Sequence, residues 1–194
     1  MPKISPDSAT PPNDGAEVAD GDPPISIVID VVHDGGDWDA VAGAEDLVCA
    51  AGRAVATEFA LENTEVCVAL SSDDQVAELN GSYRGKPAPT NVLSFPAVAM
   101  VPMEGEARFL GDIALALETL QREAGDMGVP VAHHLQHLVV HGLLHLLGYD
   151  HLTDSEAEEM EALEVRVLSS LGVADPYANA GEPIRQSMSH SERD

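Results

Sequence analysis

Hydrophobic and polar positions along the middle of the chain switch repeatedly between the period of a strand and that of a helix. Ile25-Ser26-Ile27-Val28-Ile29-Asp30 is a β-branched run with the composition of a strand. Between 40 and 60, Val41, Leu47, Val48, Ala51, Val55 and Phe59 recur near helical spacing. Glu65-Val66-Cys67-Val68-Ala69-Leu70 reads as a second strand. Asp73 and Asp74 open a short helix, where carboxylates suit the positive end of the dipole. Asn91-Val92-Leu93-Ser94-Phe95 is a third strand, stopped by Pro96, and Arg108 to Ala114 is a fourth. Helices are predicted at about 116–127, 130–147 and 154–171. Pro130 suits a first helical turn. Thr153 and Glu156 form a capping box before the last helix, whose apolar face is Met160, Leu163, Val167 and Leu171. No internal repeat is present. The order predicts one α+β (α/β) domain: a small mixed four-stranded sheet covered by about five helices, with the C-terminal half helical.

The ends of the chain have a different texture. Residues 1–24 are rich in Pro, Asp, Gly and Ala with few large apolar groups, which predicts a disordered extension. Residues 173–194 read as a flexible tail, leaving a folded unit over about 25–172. A 194-residue chain that is 44% apolar can supply one core. No apolar run approaches the roughly 20 residues that span a bilayer, and the N-terminus has no stretch of signal-peptide type. A cytoplasmic protein without a membrane partner is expected. Cys49 and Cys67 have apolar neighbours and no C-x-x-C spacing, so both read as reduced core residues.

The formal net charge of −25 argues against a broad surface for polyanions. Only nine Lys and Arg are present, and Arg84, Lys86 and Arg108 fall in the central segment. Many acidic residues lie in the two tails and in the helix after 153, as a solvated surface that aids solubility. Any contact with a phosphate chain is therefore local and small.

The candidate chemistry is concentrated in His141-Gly142-Leu143-Leu144-His145-Leu146-Leu147-Gly148-Tyr149-Asp150-His151. His141 and His145 are four apart on a predicted helix, so both rings leave one face and can share a metal ion. Gly148 can end the helix with a left-handed residue, and after that reversal His151 can return to the same ion. Three neutral imidazoles leave a fourth tetrahedral position open, the pattern of a catalytic rather than a structural zinc site. A rival reading makes these histidines ordinary hydrogen-bonding residues of a buried helix. The upstream His133, His134 and His137 are assigned packing or supporting roles. His137 and His145 are eight residues apart, about 12 Å along a helix axis, too far for nitrogen bonds of about 2 Å to one ion. One Zn²⁺ per chain is expected, with Ni²⁺ or Cu²⁺ able to replace it in purified material. Position 142 is Gly where zincin peptidases carry a general-base Glu, although zinc can still lower the pKa of a bound water to about 7.

The segment HGLLHLLGYDH closely resembles the signature of the YbeY family of endoribonucleases. A second block, Leu79-Asn80, Tyr83-Arg84-Gly85-Lys86 and Thr90-Asn91-Val92-Leu93-Ser94-Phe95-Pro96, is similar to that family's L-N-x-x-[YF]-R-G…T-[ND]-V-L-S-F-P region, and Leu110-Gly111-Asp112-Ile113 to its L-G-D-I strand. The resemblance implies a mixed sheet with helices, a metal held by His141, His145 and His151, and cleavage of single-stranded RNA, chiefly in 16S rRNA 3′-end maturation and ribosome quality control. It implies ribosomal partners and no DNA. Arg84 matches the family's functionally important arginine, whose fork suits a phosphate and developing negative charge. The family often has an Asp three residues after that Arg; here the position is Pro87, which predicts a stiffer Lys86-Pro87-Ala88-Pro89 loop. Asp150 is a candidate for orienting a ligand imidazole, and Ser94 and Asp112 read as structural. Two rivals stand beside this reading: another metal-dependent hydrolase such as a metallopeptidase, and a metal-stabilised module that binds the ribosome.

Overall fold

Alternation along Thr64–Ser71 fixes the two faces of the sheet. Thr64, Val66, Val68 and Leu70 are buried, while Glu65, Cys67 and Ala69 between them are only partly covered. The computed structural model describes residues 26–98, 103 and 105–178. Its strands are β1 (Ile27–His33), β2 (Thr64–Ser71), β3 (Val92–Pro96) and β4 (Arg108–Ala116). Its helices are α1 (Ala44–Glu58), α2 (Asp73–Arg84), α3 (Leu117–Met127), α4 (Val131–Leu146) and α5 (Asp154–Ser170), with a 3₁₀ turn at Trp38–Ala40. The sheet order is β1-β2-β4-β3; β1, β2 and β4 are parallel, and β3 runs antiparallel to β4 at the edge. The four-stranded mixed sheet and the five helices are those the periodicities predict.

The register slips once, between Glu65 and Val66 opposite β4, where Leu110 is the extra residue. Gly111 follows it with φ of 137°, and a Cβ there would stand 2.2 Å from the Phe95 carbonyl. Only glycine lets β3 close against β4 at this point, and β3 carries residues of the cleft described below.

Helix α4 is the centre of the core. Leu135, Val139, Val140, Leu143 and Leu144 have no solvent exposure, because the helix is covered by the sheet, α1 and α5 at once. Each such leucine contributes about 1.5–3 kcal/mol by burial, and Leu143→Ala would cost about 2–5 kcal/mol. His133, His137, His141 and His145 are the histidines of α4 that stay partly exposed, while His134 is buried. The helix that carries the chemistry is thus the most firmly held.

Several boundaries differ from expectation for identifiable reasons. Helix α2 is 12 residues long rather than short: Ser72 caps it by accepting from the Gln75 N–H, and the Gln75 side chain answers to the Ser72 N–H. Arg84 is its last residue, not part of the following loop. Pro130, with ψ of 136°, stands at the cap of α4, just before the first turn. The Thr153–Glu156 capping box is present. Ile25 and the N-terminal extension lie outside the described residues, as does the C-terminal segment past 178. The start expected for the flexible tail meets packed chain instead: Val173 is buried in the main core, and the Tyr177 hydroxyl reaches the interior. Cys49 and Cys67 are free thiols, both partly exposed rather than enclosed. Burial, with the carboxylates of Asp112 and Asp30, raises the pKa of Cys67 and so keeps it protonated.

Candidate metal centre

The C-terminal turn of α4 and the loop after it bring His141, His145 and His151 together. One ring nitrogen from each lies within 4.8 Å of the other two. Helix α4 ends at Leu146, and Gly148, with φ of 97°, turns the chain back. Asp150 Oδ1 then accepts from the His151 backbone N–H at 2.8 Å, tightening the return. The ring centroids of His151 stand 5.6 Å from those of His141 and 5.1 Å from those of His145.

The outer nitrogens of the helical pair decide what the inner ones can do. His141 Nδ1 is 2.7 Å from Glu164 Oε1, and His145 Nδ1 is 3.0 Å from the Tyr149 carbonyl. Both partners accept, so both Nδ1 atoms carry the proton. In neutral rings the two Nε2 atoms then present lone pairs, and they face each other at 3.0 Å. Burial and the neighbouring His141 lower the pKa of His145, which keeps its ring neutral. Two lone pairs directed at one point repel unless a cation sits between them. Two nitrogens on a tetrahedral zinc ion, with bonds of about 2.0–2.1 Å, would be about 3.3 Å apart. The donor set therefore fits a divalent transition-metal ion, with His151 as third donor and the fourth side open to the cleft.

That cleft has a volume of about 520 Å³, and its lining includes the three histidines, Arg84, Asn91 and Ser94. Arg84 thus faces the histidines across it, exposed at the end of α2, and among the described residues it has no ion-pair partner. On the same helix the buried Asn80 donates from Nδ2 to the Ala88 carbonyl at 2.8 Å and pins the Lys86–Pro89 loop to α2.

The remaining histidines support the helix. His134 pairs with Glu123 at 2.9 Å, and His137 with Glu164 at 2.9 Å; His133 lines a separate groove against Val173–Pro176. Asp150 is 4.0 Å from His145 Nδ1, beyond hydrogen-bond reach, so the orienting partner of that ring is the Tyr149 carbonyl. Ser94 Oγ donates to the Gly142 carbonyl at 3.2 Å, and Asp112 points to the sheet face away from α4. A Cβ at Gly142 would stand 3.1 Å from both Ile113 Cδ1 and Ser94 Oγ; sheet residues fill the place a zincin's glutamate would need.

Two residues escaped the sequence reading. Glu164 is only 1% exposed, yet its carboxylate holds both His137 and His141. Its signal was available: it lies four residues after Met160 on the apolar stripe of α5, where a solvated glutamate does not belong. Tyr177 hydrogen-bonds to Glu164 from a segment whose composition suggested only a tail.

An open-sided histidine triad on a small mixed α/β scaffold has the donor set of a metal site built for chemistry. The chain belongs to the Endoribonuclease YbeY family, whose model matches residues 40–172. It is 51% identical over 150 residues to the Endoribonuclease YbeY of Rhodopseudomonas palustris (strain BisB5), covering 73% of this chain and 77% of that one. The Endoribonuclease YbeY of Parvibaculum lavamentivorans is 48% identical over 156 residues, covering 77% of this chain and 84% of its own. A solution structure of TM1509 from Thermotoga maritima aligns over 80% of this chain and 100% of its own, at 21% identity and a TM-score of 0.47.

Proposed function

We propose that the chain is a zinc-dependent endoribonuclease specific for single strands, acting in the cytoplasm on the 3′ end of 16S rRNA and in ribosome quality control. The observation that carries this reading is the sharing of one cleft by Arg84 and the histidine triad, in a chain of the Endoribonuclease YbeY family. His141, His145 and His151 are the metal ligands, and Arg84 is the catalytic residue. Bound by these three side chains, a divalent ion would supply Lewis acidity and lower the pKa of a water. Arg84 stays protonated and offers a fixed fork of donors, so it holds the phosphate and offsets the charge that grows as the phosphodiester is attacked. Glu164 and the Tyr149 carbonyl keep two imidazoles in the Nδ1–H form.

The scarcity of cations supports single-strand specificity. A duplex is gripped through many phosphates at once, whereas among the described residues this cleft offers Arg84 alone from the Lys and Arg side chains. A short unpaired segment, with its backbone free to bend into the cleft, suits that wall better. The same local character points to the ribosome and its proteins as what brings the substrate to the enzyme. The peptidase alternative is disfavoured by the packing around Gly142.

The decisive experiment incubates the purified chain with end-labelled single-stranded RNA, duplex RNA and a peptide library, with and without chelator. Chelator-sensitive cleavage of the single strand alone is expected. Cleavage that survives chelation, or none on any RNA, would sink the reading.

A further inference from the structure

We infer that Tyr177 is a positioning residue for the metal centre, acting through Glu164 on the orientation of the His141 ring. This rests on His141 being a ligand, as proposed above. The matched family segment ends at residue 172, before this tyrosine.

The chain leaves α5, tucks Val173 into the core and turns at Asp175, whose Oδ1 accepts from the Tyr177 N–H at 2.8 Å. The turn sends the phenol inward. Its ring meets His137 edge-on, with centroids 5.8 Å apart and planes at 88°, and its hydroxyl donates to Glu164 Oε2. His137 Nε2 approaches the same carboxylate oxygen at 2.9 Å and the phenol oxygen at 3.3 Å. The two oxygens of Glu164 therefore divide their work. Oε2 is held by His137 and Tyr177, which leaves Oε1 for the Nδ1–H of His141 at 2.7 Å.

A buried carboxylate with one donor can rotate or take up a proton; with three it can do neither cheaply. The carboxylate of Glu164 is held from both sides, by His137 and Tyr177 on Oε2 and by His141 on Oε1. Burial and the same carboxylate push the Tyr177 phenol well above its ordinary value, so it keeps its proton and remains a donor. The consequence reaches the cleft. A fixed Oε1 keeps the proton of His141 on Nδ1, so the Nε2 lone pair points where the ion binds. Removing the Tyr177 hydroxyl leaves Oε2 to His137 alone and loosens the carboxylate, so the orientation of the His141 ring is less fixed, without touching any ligand.

A simple anchoring role for the tail predicts a different result, and Tyr177→Phe separates the two because it keeps the ring packed on His137. In the full-length, metal-free chain, long-range ¹H–¹⁵N spectra should show His141 as a single sharp Nδ1–H ring, and Tyr177→Phe should keep that tautomer while broadening or doubling its ring resonances as the carboxylate takes more than one orientation. Zn²⁺ affinity, measured by competition with a chromophoric chelator, should fall about tenfold, at the low end of the range for partners of ligating histidines. The melting temperature of the metal-free protein should drop by less than about 4 °C, as for one hydrogen bond. Glu164→Gln should weaken binding further, and Tyr177→Phe should add nothing on that background. Unchanged His141 resonances with unchanged affinity in Tyr177→Phe would overturn the inference, as would a loss that persists in full beside Glu164→Gln. Should Glu164→Gln not fold, the His141 resonances in Tyr177→Phe decide alone. A native chain that binds no Zn²⁺ would defeat the metal centre, while the metal-free spectra would still report on Tyr177.

Discussion

The two walls of the cleft are built on opposite plans. The histidine wall stands on α4, whose inner face is fully buried, and His141 and His145 each have the outer nitrogen already bonded. The arginine wall stands on the last residue of α2, exposed and without an ion-pair partner among the described residues. One wall is fixed by its own hydrogen bonds; the other carries a charged side chain without an ion-pair partner among the described residues. Holding an ion demands geometry within a few tenths of an ångström, whereas a guanidinium on a flexible stem can find its anion by charge first and geometry second.

The sharpest way to break this contrast is to remove one ligand. His145→Ala should abolish metal binding and RNA cleavage together, while His133→Ala, which sits outside the cleft, should retain both. Metal content by elemental analysis and a labelled-RNA assay on the same preparations check this. If His137→Ala loses the ion and His151→Ala keeps it, the ligand set is wrong.

Arg84→Ala is the complementary break. Cleavage should fall by roughly 10²–10³-fold, as when one charge-stabilising donor is lost, with metal content unchanged. Arg84→Lys should restore part of the rate, since the charge survives and the fork does not. Normal cleavage by Arg84→Ala would remove that residue from the mechanism.

A smaller effect separates the walls by stability. Zn²⁺ at about 100 times its dissociation constant should stabilise the folded chain by about 2.7 kcal/mol, a rise in melting temperature of roughly 5–10 °C for a chain of this size. Arg84→Ala should show the same rise and His151→Ala should lose it. Differential scanning fluorimetry with and without the ion distinguishes these outcomes. An equal shift in His151→Ala would place the ion elsewhere.

The smallest effect tests how far the arginine wall depends on its support. Asn80→Ala removes the bond to Ala88 and should cost about 1 kcal/mol of stability. Cleavage should drop only a few-fold at constant metal content, far less than Arg84→Ala. A loss as large as that of Arg84→Ala would show that the arginine is as firmly placed as the histidines.

The same contrast explains what was legible in the sequence. His141, His145 and His151 could be read because a helix repeat and one glycine reversal are local matters. The strands and helices were legible for the same reason. Glu164 was not singled out, because its partners His137 and His141 are 27 and 23 residues away and meet it only when α5 packs on α4. It was also hidden among the many acids of α5, most of them exposed. Tyr177 follows a Gly-Val-Ala-Asp-Pro stretch that looks like tail, and nothing local announces that Val173 will be buried. The length of α2 was underestimated because the Ser72–Gln75 capping box was overlooked, and with it the place of Arg84 at a helix end.

Gly142 has a consequence for the history open to such a site. A helix with two histidines four apart is one substitution from the peptidase signature, in that a glutamate codon at 142 would complete it. Here that step is closed. Even a Cβ would press on Ile113 and Ser94, and a glutamate has a whole carboxyethyl arm to place against a sheet that cannot retreat. Gly142→Glu should yield misfolded protein rather than a new hydrolase, readable as loss of soluble expression and of the cooperative melt. The close seating of α4 on β3 and β4 therefore acts as a ratchet: once the helix settled this tightly, the neighbouring chemistry passed out of single-step reach.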